Sequence, residues 1–135
     1  MSYDDGTIQA AATELYDEHR TIDALLRRLG YATARHELVE LLDTLHGALH
    51  GHFAHEEYPG GLYQRLGALG EQNQAEVRKL VDEHFRMLAA VRGMSTRVKH
   101  DDEPLDVFQA EIAKLVTWLE DHETREHRLA KSATG

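Results

Sequence analysis

The sequence predicts an all-α protein, an antiparallel up-down-up-down four-helix bundle. Ala, Leu, Glu and Arg dominate the 135 residues, and prolines number only two. Apolar residues recur at helical spacing in four long stretches, separated by breakers that contain Gly or Pro. Short connections between long helices place neighbours antiparallel. The length suits one domain, residues 1–135, with a bundle core over about 7–131.

The first helix is expected from about Thr7 to Leu29, with Asp5 or Thr7 as its cap and Gly30 just past its end. The second runs from about Ala34 to Tyr58 and stops at Pro59-Gly60-Gly61. Leu62 to Leu69 reads as a short extra helix or turn. The third begins near Asn73, where Asn73 and Glu76 have capping-box spacing, and continues to about Lys99. His100 to Pro104 forms a connector. Pro104 then opens the fourth helix, Leu105 to Lys131, and Ser132 to Gly135 should fray.

Composition removes several function classes. Twenty-four acidic residues against 15 basic ones give a net charge of −9, which repels phosphate backbones and anionic lipid, so neither nucleic acid nor a membrane surface is an expected partner. Without cysteine there is no disulfide, thiolate zinc site, Fe–S cluster or cysteine nucleophile. No run of about 18 apolar residues spans a bilayer. The polar N-terminus lacks the features of a secretory signal, so a soluble, cytoplasmic protein is expected.

Ten histidines exceed what packing needs. An α-helix advances about 100° per residue, so each polar residue can be compared with the apolar stripe of its helix. His19 falls inside the stripe of Leu15, Ile22, Leu26 and Leu29. The stripe of Leu38, Leu42, Leu45 and Leu49 continues into His52 and Glu56. His84 fills the gap between Leu80 and Leu88. Ile112, Leu115 and Leu119 lead into His122 and Glu126. Each helix thus aims a histidine at the core, and two add a carboxylate one turn later.

An ionised carboxylate buried without a partner costs several kcal/mol. A bound cation removes that penalty. Imidazole with carboxylate suits iron, manganese or zinc, and two carboxylates can bridge a pair of ions. The six candidate ligands are therefore His19, His52, Glu56, His84, His122 and Glu126. A lone inward histidine is more often a hydrogen-bonded core residue, but four helices in phase make that account depend on four coincidences.

His46, His50 and His55 lie off the helix-two stripe, and His36 and His100 sit at a helix start and a connector. His127 is about 100° off its stripe but adjoins Glu126, and His127 and His55 remain open as further ligands. Trp118, Phe53, Phe85 and Phe108 are expected in core packing or at stripe edges. Gly47 and Gly51, costly inside a helix, suggest close approach of a neighbouring backbone. Counted from the bend after Gly30, His52 lies about seven residues, roughly 10 Å, further along than His19, so helix two should start later or its connection climb.

The segments His52-Phe53-Ala54-His55-Glu56-Glu57 and Trp118-Leu119-Glu120-Asp121-His122 resemble helices of the hemerythrin-like (HHE cation-binding) family. Glu18-His19-Arg20 and Glu83-His84-Phe85 resemble its first and third helices, and Glu56 to Leu62 resembles the EExPGGL stretch of a small bacterial branch. The order is H…HxxxE…H…HxxxE over roughly residues 7–130. The resemblance implies a hemerythrin-like bundle holding two iron ions, with an oxo or hydroxo bridge. His19, His52, His84 and His122 would be terminal ligands, and Glu56 and Glu126 bridges.

Two positions depart from the oxygen-carrier pattern. Leu80 stands four residues before His84 where carriers have histidine. The carriers' bridging aspartate falls five residues after the helix-four histidine, where this chain has His127, with Glu126 at four. Fewer histidines leave more coordination positions for small ligands. The expectation is a centre that handles a small oxidant (hydrogen peroxide, O2 or NO), with a catalase- or peroxidase-like activity or with binding or sensing alone. Zinc or manganese is the alternative metal.

Overall fold

The computed structural model describes residues 2–100 and 102–134, with side chains from residue 8 to residue 133 apart from residue 101. Six helical segments follow one another: α1 Ser2–Glu14, α2 Tyr16–Tyr31, α3 Arg35–Glu57, α4 Leu62–Gly67, α5 Glu71–His100 and α6 Leu105–Thr134. No strand occurs among the described residues. Helices α2, α3, α5 and α6 close a ring in which α2 and α5 each pack on both α3 and α6. This is the expected four-helix bundle.

The first helix differs most from expectation. It starts at Ser2 and runs through Gly30 to Tyr31, but it breaks at Leu15. Leu15 has φ −85° and ψ −8°, and its amide donates to the Ala12 carbonyl rather than to that of Ala11, one residue further back. The break lets α1 leave the line of α2 and lie across α6 and α4. The side chains of Asp5 and Thr7 are outside the described residues. The connection from α2 to α3 is extended at Ala32 and Ala34. Arg35, at the start of α3, donates to the carbonyls of Val98 and Glu103, which ties the start of α3 to the end of α5 and the connector that follows it.

Other expectations are corrected by local contacts. α5 begins at Glu71, and Asn73 donates to the Leu66 carbonyl at 3.2 Å; it ties α4 to α5 instead of capping a helix. α6 remains helical through Ser132 and Ala133, where Ala133 packs on apolar neighbours. Phe85 is not packed: it is 67% exposed. A side chain at Gly47 or Gly51 would meet nothing within 4 Å, so no neighbouring backbone approaches either residue closely.

The core is divided into two apolar storeys. The larger joins Ile22 to Leu29, Leu38 to Leu49, Met87 to Val98 and Phe108 to Leu119. The smaller gathers Ile8, Leu15, Leu62, Leu66, Leu80 and Ala130 where α1 and α4 close one end of the bundle. On α2, α5 and α6 the inward position between the storeys is a histidine. The result is one polar layer enclosed by hydrocarbon.

Candidate metal centre

The structure brings His19, His52, Glu56, His84, His122 and Glu126 into that layer. Five of them are buried, Glu56 completely, and His19 is 24% exposed. Two groups of candidate ligand atoms result: Glu56, His84, His122 and Glu126 form one, and His19, His52 and Glu56 the other. Glu56 turns Oε1 toward His84 Nε2 at 3.2 Å and Oε2 toward His52 Nε2 at 3.6 Å. Glu126 turns Oε2 toward His122 Nε2 at 3.7 Å and Oε1 toward His19 Nε2 at 4.0 Å. Both carboxylates therefore straddle the two groups.

Three acidic residues that the apolar stripes did not single out set the imidazoles. Glu18 meets Nδ1 of His52 at 2.9 Å, Glu57 meets Nδ1 of His84 at 2.7 Å, and Glu83 meets Nδ1 of His122 at 2.7 Å. An ionised carboxylate only accepts, so each Nδ1 carries a proton and each ring turns Nε2 inward. Burial opposes the charged form of Glu18, yet hydrogen bonds from His52 and His55 hold its pKa below the ordinary value. Burial likewise opposes ionised Glu83, and the Arg125 and His122 hydrogen bonds outweigh it. Burial alone pushes the Glu57 pKa up. Each of the three adjoins a candidate ligand in sequence, Glu18 and Glu83 beside His19 and His84 and Glu57 beside Glu56; acidic residues recurring next to inward polar residues were the available signal.

A fourth residue, Tyr63, enters the layer from α4. Its hydroxyl lies 2.7 Å from Glu126 Oε2, 3.0 Å from His84 Nε2, 3.4 Å from His122 Nε2 and 3.5 Å from Glu56 Oε1. The Pro59-Gly60-Gly61 turn places it there. Gly60 has φ +82°, a left-handed conformation that favours glycine. The Gly61 amide donates to the Tyr58 carbonyl at 2.7 Å, closing the turn, and α4 starts immediately afterwards.

The electrostatics of the layer leave a cation wanting. Burial first, and then the neighbouring His122 and His52, drive the His84 pKa down to about 2. Burial and His19 also lower that of His52. The Nε2 atom of His84 stands only 3.1 Å from that of His122. Burial and the facing Glu126 raise the Glu56 pKa well above the usual carboxylate range. His19 Nε2 and Glu56 Oε2 are buried with no hydrogen-bond partner. Leaving such atoms unpaired costs about 1–3 kcal/mol each. Unprotonated imidazoles and a forced carboxylate pair are what a metal ion neutralises, so the residues fit the group.

The layer is reached from outside by a cleft of about 840 Å³ between α1, α2 and α6. Of the six candidate ligands only His19 and Glu126 line it, with Glu123 and His127 beside them. Burial and the nearby Asp23, Glu126 and Glu120 raise the Glu123 pKa to about 7. His127 is exposed on the cleft wall and belongs to neither group. His55 is exposed and bonded to Glu18. His36, His50 and His100 face solvent, and His46 is half-buried beside Arg92. Phe53 stacks on His84 at 3.7 Å between ring centroids and seals the layer against the larger storey. No helix among the described residues is long and apolar enough to cross a membrane.

The family described as the hemerythrin HHE cation-binding domain matches residues 10–132 of this chain. Neither the curated proteins nor the solved structures provide a match.

Proposed function

Because the chain belongs to the hemerythrin HHE cation-binding domain family, we propose that His19, His52, Glu56, His84, His122 and Glu126 hold two iron ions, and that the centre degrades hydrogen peroxide. The observation that carries this reading is the straddling of two donor groups by Glu56 and Glu126. Each carboxylate offers one oxygen to either group, which is what a bridged ion pair requires. Mixed imidazole and carboxylate donors suit iron better than a closed structural zinc site. When bound, an iron pair supplies the redox change that a small oxidant needs.

The protein's own residues do the rest. Glu18, Glu57 and Glu83 hold three imidazoles in the tautomer that aims Nε2 at the layer. The two apolar storeys exclude bulk water from the other sides. The cleft admits a small molecule beside His19 and Glu126. Dioxygen and nitric oxide are ligands of the same size class, and binding or sensing them without turnover is the alternative. A chain without cysteine is compatible with a reducing cytoplasm.

Peroxide loss measured for iron-loaded protein tests this. The expected result is iron-dependent decay, abolished in His52→Ala and Glu126→Ala. Loaded protein that leaves peroxide untouched but changes colour reversibly with a gas supports the binding alternative. Purification with zinc and no affinity for iron would remove both.

A further inference from the structure

The Tyr63 hydroxyl has one proton and four close neighbours, of which Glu126 Oε2 at 2.7 Å and His84 Nε2 at 3.0 Å are both acceptors. A single O–H satisfies one of them. The phenol oxygen then faces the lone pair of the other, with His122 Nε2 at 3.4 Å and Glu56 Oε1 at 3.5 Å also around it. In the metal-free layer that second acceptor is met only by the proton held on Glu56, whose Oε1 lies 3.2 Å from His84 Nε2, and an incoming cation displaces that proton.

The spacings match a different arrangement. Atoms about 2.1 Å from a common ion lie about 3.0 Å apart at right angles and about 3.4 Å apart at tetrahedral angles. The phenol oxygen is 2.7–3.5 Å from its four neighbours. Those neighbours are themselves 3.1 Å apart between His84 and His122, 3.2 Å between His84 and Glu56, and 3.7 Å between His122 and Glu126. Seven of the ten separations among these five atoms thus lie between 2.7 and 3.7 Å, the spacing of donors that share a centre.

Tyr63 is also held in place. It is 3% exposed, and Leu62 and Leu66 on either side of it are anchored in the smaller apolar storey. The Arg65 side chain donates to the Gly60 carbonyl at 2.8 Å and braces the turn from outside.

We propose that Tyr63 is a metal ligand, its phenolate oxygen joining Glu56 Oε1, His84, His122 and Glu126 Oε2 around one ion. This rests on the metal-centre reading above. On binding, the O–H bond breaks, its proton leaves to solvent, and an oxygen–metal bond forms without any change of oxidation state. The second ion, beside His19 and His52, is left as the one that small molecules meet from the cleft. An anionic oxygen donor favours the ferric ion, which argues for an oxidised resting centre and against reversible oxygen carriage.

The test is the visible spectrum of iron-loaded, oxidised protein, with iron counted by elemental analysis. Wild type is expected to show a phenolate-to-iron charge-transfer band and tyrosine ring modes in resonance Raman spectra excited in that band. Tyr63→Phe should keep its iron, since four donors remain, and lose both signals. An unchanged spectrum in Tyr63→Phe at unchanged iron content overturns the ligand assignment alone. Wild-type protein that takes up no ion overturns the metal-centre reading with it. Should Tyr63→Phe not fold, titrating metal-free wild type with zinc provides the second measurement. Ionisation of one of the five tyrosines in the ultraviolet difference spectrum is expected. Zinc uptake with no tyrosine ionised refutes the assignment.

Discussion

Replacing Gly61 by alanine probes the link between the PGG turn and the polar layer. A Cβ there would stand 2.6 Å from the His55 carbonyl oxygen, 2.9 Å from that of Tyr58 and 3.2 Å from that of Glu56. All three are backbone atoms, so no side chain can swing aside and the turn itself must open. Overpacking of this kind costs about 1–3 kcal/mol. For a domain of this length that lowers Tm by roughly 3–12 °C. The same movement displaces Tyr63 and the Glu56–Glu57 pair, so metal uptake should weaken as well. Gly47 is the internal control: it is exposed inside α3 with nothing within 4 Å of a new Cβ. Gly47→Ala should gain about 0.5–1 kcal/mol from helix propensity alone. Urea unfolding of both metal-free variants, with metal titration of each, provides the comparison. Gly61→Ala with wild-type stability and wild-type uptake, or a Gly47→Ala loss equal to that of Gly61→Ala, would refute the reasoning.

Other perturbations separate the layer's components. Glu57→Gln and Glu83→Gln keep the volume but replace the charged acceptor beside His84 and His122 with a weaker, neutral amide, and each should weaken metal affinity about 10–100-fold in competition titrations with a chelator while leaving the fold intact. Glu56 holds its proton above the ordinary glutamate range because of burial and Glu126, so an incoming cation must displace it. Affinity measured from pH 8 to 6 should therefore fall as pH falls, by up to about tenfold per unit for each proton displaced; pH-independent uptake would contradict this. In metal-free protein the same raised pKa means that the stability contributed by Glu56 is present below pH about 4.5 and lost as pH rises through the raised value. Glu56→Gln should accordingly gain stability over wild type at pH 8 relative to pH 5, as read by denaturant midpoints.

What the sequence revealed of this site depended on periodicity. His19, His52, His84 and His122 are legible because each interrupts a stripe of leucine, isoleucine or valine at helical spacing, and Glu56 and Glu126 because each falls one turn after a histidine. Glu18, Glu57 and Glu83 were not singled out because they stand about 100° from the residues beside them, a direction that reads as solvent on one helix but points to a neighbouring helix once the bundle closes. Tyr63 is carried by a six-residue helix too short to have a stripe, and the left-handed Gly60 and the crowded Gly61 form the turn that brings it inward. The break at Leu15 has no local signal, since neither glycine nor proline stands near it; it follows from α1 packing across α6 and α4. Phe85 shows the converse limit, an aromatic residue beside an inward histidine that the helix turns to solvent.

The most direct measurement is elemental analysis of wild type and Glu56→Ala after anaerobic iron(II) loading and desalting. About two iron ions per chain are predicted for wild type, with both weakened in the variant because one carboxylate serves both donor groups. Wild type retaining no iron, or Glu56→Ala retaining the full complement, would contradict a centre bridged by Glu56.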